Sequence, residues 1–267
     1  MLILKILIAA VIVIGLAELA ERTSPKIAGL LAGLPVGSAL VLFFYGLDFG
    51  PNFVEQVTPY NLLGLSASLS FVLAYYLGSR LSEKHSLLGG VSLGLTAYFI
   101  VAYSLSLFQV ENAVFPALLL TTLILIVHLY FLKIPEVRGQ KNKKTNPLEI
   151  LERGGIAVVF VILASFSPHF FSAEMAGILS SFPSSVLPLL LIVHFSQGRA
   201  VVHSLIKYLP LGYVGVMIYS AVVGNLYVDF GIYWGTLLSL VISTGYLVAL
   251  LSLSSYRSRK TSKSKVI

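Results

Sequence analysis

Apolar residues in this chain gather in long runs, and each run stops at a charged or turn-rich break. Runs of about twenty residues let an α-helix cross the roughly 30 Å of bilayer hydrocarbon. The pattern predicts nine spans, at 2–20, 27–46, 59–79, 86–108, 112–133, 149–169, 174–195, 204–226 and 230–254. Membrane β-strands would instead alternate in polarity over about ten residues, and that alternation is missing. The first run, MLILKILIAAVIVIGLAELAER, has the lysine and apolar stretch of a signal peptide. A counterpart deep in the chain favours a retained helix.

Composition sharpens the class. The 267 residues are 57% hydrophobic and 11% charged, where a soluble domain carries about 25% charged residues. This is the composition of an all-α integral membrane protein. The net charge of +7 would suggest nucleic acid in a soluble chain, but its distribution follows the bias of bases toward cytoplasmic loops. The linker KIPEVRGQKNKKTNP (133–147) and the tail YRSRKTSKSK (256–265) are separated by four spans, so both fit the cytoplasmic side, with the N-terminus outside. Seventeen of the 18 Lys and Arg then lie inside, Arg22, Lys26, Arg80, Lys84, Arg199 and Lys207 among them, and Lys5 alone lies outside. Asp48, Glu55, Glu111, Glu174 and Asp229 fall outside. Nucleic acid is excluded as a partner, and the expected location is multi-pass in a prokaryotic cytoplasmic membrane. The basic linker and tail suit anionic headgroups, at about 1 kcal/mol per base near the surface. The chain has no cysteine, and its five histidines lack metal-ligand spacing. No catalytic residue, metal or cofactor is expected.

The chain also repeats itself. SPKIAGLLAGLP (24–35) and SAEMAGILSSFP (172–183) lie 148 residues apart, and an ungapped alignment of 24–64 with 172–212 has 11 identities in 41 positions. These include Gly29/Gly177, Pro35/Pro183, Gly50/Gly198, Tyr60/Tyr208 and Gly64/Gly212, which a shared richness in leucine does not explain. Each copy holds four spans with a fifth between them, so the second copy enters the membrane upside down. Loop charges change with it: Lys26 aligns with Glu174, and Glu55 with His203. The expected organisation is 4+1+4, N-out and C-in. Repeat one is 1–108, the linker helix 109–133, the basic linker 134–148, repeat two 149–255 and the tail 256–267.

Each half resembles the small four-helix GlpM-type membrane proteins, in which an IAGL…FP-like stretch opens the second helix; here it reads IAGLLAGLP and MAGILSSFP. The resemblance covers about 80 residues per half. It implies a four-helix unit in each half and an origin in an antiparallel pair of like units, later fused through a helix. It implies nothing about substrate.

Inverted halves are typical of secondary transporters, whose sites lie near the midplane where helices are broken. Pro35 and Pro183 each fall about nine residues into a span, where proline removes a backbone hydrogen bond and clashes with the preceding turn. Small or hydroxylated residues surround them: Gly33, Gly37 and Ser38 in one copy, and Ser180, Ser181, Ser184 and Ser185 in the other. A hinge or substrate path at these residues is one reading, and close helix packing is the other. Tyr60 and Tyr208 read as interfacial anchors, Asn61 as a helix-start residue, and Glu18 as the partner of Arg22. Ser66, Ser68 and Ser70 have no hydroxyl counterparts in the second half. His128 and His194 read as satisfied or interfacial. With no ionisable residue at mid-membrane, proton coupling has no evident carrier, while Na⁺ or uncoupled passage remains open. The function classes are a transporter or facilitator for a small solute or lipid, a channel or flippase-like protein, and a non-transporting scaffold. Enzymatic activity is not expected.

Overall fold

The computed structural model describes residues 23–31, 34–137 and 147–263, together with Val11 and Gly15. The first predicted span, Glu18, Arg22 and Gly33 lie outside the described residues. Everything described is helix, turn or connecting loop, with no strand. In chain order the elements are α1 (Pro25–Leu31), α2 (Val36–Phe49), α3 (Pro51–Gly78), α4 (Ser86–Ser106), α5 (Val114–Phe131), α6 (Pro147–Phe166), α7 (Ala173–Leu179), α8 (Val186–Gln197), α9 (Arg199–Ile206) and α10 (Leu209–Lys263). A short 3₁₀ turn, Ser167–His169, joins α6 to α7.

Among the described residues, five stretches are long and apolar enough to cross a membrane: Lys26–Phe49, Pro51–Gly78, Ser86–Ser106, Val114–Phe131 and Leu209–Ser252. Val158–His169 and Val186–Gln197 are shorter apolar helices. The last long stretch folds back on itself. Gly231 interrupts α10 with φ 75° and ψ 171°, a backbone region essentially reserved for glycine. Ser243 Oγ then donates to Gly215 O at 2.7 Å, and Tyr246 Oη to Leu211 O at 3.2 Å. In one straight helix, residues 28 apart would stand about 42 Å from each other, so the two limbs are antiparallel.

Local chemistry sets the other boundaries, and it recurs at a spacing of 148. Ser24 and Ser172 stand before α1 and α7, where their hydroxyls accept from Ile27 N and Met175 N, satisfying an orphan donor of the first turn. Gly50 (φ 89°, ψ 170°) and Gly198 (φ 83°, ψ 173°) end α2 and α8. The sequence places spans at 27–46 and 174–195, with a hinge at each proline. Each is a seven-residue helix, an interruption before the longer helix, and then that longer helix. Span 59–79 begins eight residues earlier than expected, because α3 starts at Pro51 and carries Pro59 inside it.

The long helix α3 is the hub, packed against α2, α4, α5, α7 and α10. Glycines set its distances. A Cβ on Gly94 would lie 2.9 Å from the Phe71 ring, and one on Gly224 only 3.0 Å from Glu55 Cα. Outer faces of α4, α5 and the second limb of α10 expose Phe99, Ile100, Leu118, Leu125, Trp234 and Val241, while hydroxyls such as Ser68, Ser180, Ser181 and Ser220 are buried. Apolar surface outside and polar groups inside is the arrangement of a chain solvated by lipid.

Candidate functional site

Both broken helices leave their helical path before the proline. α1 ends at Leu31 and α2 begins at Val36; α7 ends at Leu179 and α8 begins at Val186. Pro35 and Pro183 therefore stand at helix entries, where a fixed φ and a missing N–H cost little. They do not kink a continuous helix against its preceding turn. The gaps are closed by matching bonds. Leu34 N donates to Leu31 O and Phe182 N to Leu179 O, at 2.9 and 3.0 Å. Val36 N donates to Leu34 O and Ser184 N to Phe182 O, at 2.8 and 2.6 Å. Ala39 N to Pro35 O and Leu187 N to Pro183 O follow at 2.6 and 2.8 Å. Hydroxyls satisfy carbonyls at the end of α7: Ser180 Oγ donates to Gly177 O at 2.6 Å and Ser181 Oγ to Ile178 O at 2.7 Å.

The two gaps meet at a cavity of about 20 Å³, room for about one water or a bare ion. Its lining falls into pairs 148 apart: Leu34/Phe182, Pro35/Pro183, Gly37/Ser185, Ser38/Val186, Leu65/Tyr213 and Ser68/Val216. Ser181 completes it, and its counterpart Gly33 is not described. Of the residues singled out in the sequence, Pro35, Gly37, Ser38, Ser181, Pro183 and Ser185 line this space. Ser184 does not, but its Oγ occupies the place a Cβ on Gly37 would take, so the two gaps touch.

Sequence reading does not assign three side chains to this site. Ser68 Oγ and Tyr213 Oη are 2.9 Å apart across the halves, and Tyr213 Oη also donates to Ser68 O at 3.1 Å. Matching equivalent positions could not find this pair, because Ser68 aligns with a valine and Tyr213 with a leucine. The third is Asn61. It does not start a helix: it lies ten residues into α3, fully buried, and its Nδ2 donates to Ser180 Oγ at 2.6 Å. Ser180 has already given its proton to Gly177 O, so only the amide nitrogen can face it. Asn61 Oδ1 is thereby turned away, and among the described residues it has no partner. A buried acceptor left in this state costs about 1–3 kcal/mol.

Tyr60 and Tyr208, read from sequence as interfacial anchors, also pack at their Cβ atoms against glycines. A Cβ on Gly177 would lie 2.6 Å from both Tyr60 Cβ and Val57 O. A Cβ on Gly29 would lie 2.9 Å from Tyr208 Cβ and 2.6 Å from Leu205 O. Gly177 on α7 thus packs on α3, and Gly29 on α1 packs on the end of α9 and the turn that follows it. His194 is satisfied, with Nδ1 2.8 Å from Tyr75 Oη and Nε2 2.8 Å from Ser86 Oγ.

The two ends of the molecule differ. At one end, a cavity of about 600 Å³ is lined by Glu55, Glu111 and Glu174, by the amides of Asn52, Gln56, Asn112 and Asn225, and by Thr58 and Tyr60, with no Lys or Arg among the described residues there. At the positions 148 residues on, the chain just after α5 lies across the surface. Glu136 there accepts from the Tyr208 hydroxyl and from Lys207 Nζ (3.3 Å), and Val137 N donates to Ser204 Oγ at 3.2 Å. Hydrogen bonding from Tyr208 holds the Glu136 carboxyl below the usual carboxylate range, with Lys207 adding to the effect. His203, just ahead of the last long spanning stretch, shares a 2.7 Å bond with Ser79 Oγ. Burial, followed by the nearby charges of Arg199, His194 and Arg80, pushes its imidazole down to about 4. Among the described residues no group of three His, Asp or Glu is placed to hold a metal ion.

No family model, no curated protein and no solved structure matches this chain. Fold and site define a helical membrane protein in which two broken helices enclose a small cavity lined by apolar side chains and a few hydroxyls.

Proposed function

We propose that the chain is a small secondary transporter or facilitator, working by alternating access between two inverted four-helix halves. In this reading nine helices span the membrane as 4+1+4, with α5 between the halves, the N-terminus outside and the basic tail inside. The observation that carries it is the central cavity, where two proline-led gaps with the same backbone bonding meet and line one space in pairs 148 residues apart. Such a cavity can open to one side or the other at similar cost, because each half offers the same hinge to its own side. The ends support the polarity: acidic residues surround the open mouth, while Lys26, Arg80, Arg199 and Lys207 gather at the covered one. The open mouth then faces outward, and the covered one faces the cytoplasm of a prokaryotic cell. The likeness of each half to GlpM-type proteins belongs to the same proposal, and the function proposed is transport rather than catalysis.

The test needs no known substrate. Ser185→Cys places the sole thiol of the chain in the central cavity. Alternating access predicts slow labelling by a membrane-impermeant thiol reagent applied from either face of oriented vesicles. Protection from both faces overturns the proposal in favour of a scaffold, and rapid labelling from both favours a channel.

A further inference from the structure

One face of α3 carries lining residues of both cavities. Thr58 lines the acidic mouth, Leu65 and Ser68 line the central cavity, and Asn61 lies between them. Residues 58, 61, 65 and 68 follow the three- and four-residue steps of a single helix face. Asn61 therefore lies on the line between mouth and centre and lines neither cavity itself.

What this face offers is almost entirely lone pairs. Thr58 Oγ1 gives its proton to Val54 O at 2.6 Å. Ser180 and Ser181 give theirs to Gly177 O and Ile178 O. Asn61 Oδ1 never had a proton to give, and it is buried without a donor. Each of these oxygens can therefore only accept, and the mouth above them holds three carboxylates and, among the described residues, no base. The equivalent face of the other half reads Ile206, Leu209, Tyr213 and Val216, so it lacks this character.

We infer that a small monovalent cation, Na⁺ by size, binds at the carbonyl oxygen of Asn61 between the acidic mouth and the central cavity. A bare cation satisfies an acceptor that no donor among the described residues reaches. Broken-helix carbonyls and hydroxyls are the oxygen donors that suit such ions in transporters. Any role of the ion in driving transport rests on the function proposed above; its binding does not.

Equilibrium binding separates the two. The full-length protein in detergent is melted in NaCl, KCl or N-methyl-D-glucamine chloride at constant ionic strength. Na⁺ or K⁺ is expected to raise the midpoint saturably over the organic cation, by about 5 °C at roughly one hundred times the dissociation constant. Asn61→Leu, which installs the residue of the equivalent position, abolishes the rise, and Asn61→Asp keeps it at lower salt. No alkali-cation effect on the wild-type protein overturns the inference, as does an unchanged effect in a folded Asn61→Leu variant. A cation effect alongside protection of Ser185→Cys from both faces keeps the site and removes the transport reading.

Discussion

Gly177 and Gly245 are both helical, and they face opposite demands. A methyl group on Gly177 would press into the Tyr60 Cβ and the Val57 carbonyl, while nothing lies within 4 Å of the same group on Gly245. Gly177→Ala is expected to destabilise the protein by about 1–3 kcal/mol through overpacking, and Gly245→Ala to leave it unchanged or slightly firmer. Melting both variants in one detergent checks this, and equal midpoints would remove the proposed close approach. At this scale the sequence was partly readable. Gly29, Gly177, Tyr60 and Tyr208 stand out because they recur, although their task of packing the halves together is visible only in space. Asn61 carries no such mark, since its importance comes from Ser180, whose proton is committed elsewhere.

Helices were more legible than their interruptions. Runs of apolar residues locate α3, α4 and α5 well, because burial in lipid needs length and little else. Interruptions at Pro35 and Pro183 were expected as kinked or unwound turns, but proline chemistry alone does not decide between a kink and a fresh helix start. The segment after α5 was invisible in advance. Its attachment depends on Glu136, Lys207, Tyr208 and Ser204 meeting across 67 to 72 residues. His203, half-buried against Ser79 and Tyr76, makes this end sensitive to pH. Above about 6.5 the imidazole is neutral whether folded or unfolded. Below that the unfolded chain takes up a proton that the folded protein refuses until about 4, so stability falls as pH drops through this window. The melting midpoint should be flat above pH 6.5 and decline toward pH 4, and His203→Gln should decline less. Parallel curves for the two proteins would place the sensitivity elsewhere.

For the molecule as a whole, the decisive quantity is the orientation of one half against the other. The absence of native cysteine makes single thiols clean reporters. Asn52→Cys is expected to react with an impermeant reagent on intact cells, and Ala200→Cys only after lysis. Matching behaviour would mean parallel halves and would withdraw the 4+1+4 arrangement. The spacing of 148 was plain in the sequence, but the asymmetry laid over it was not, because one open mouth and one covered mouth come from residues that differ between the halves. The crossed packing of the short helices has a consequence for synthesis. Gly29 on α1 is seated only when α9 arrives, and α3 is covered only when α7 arrives, so the first half leaves the ribosome with its central contacts vacant. It must wait in the bilayer for about half the chain to follow, which makes the unfinished product a natural client for insertion factors and quality-control proteases.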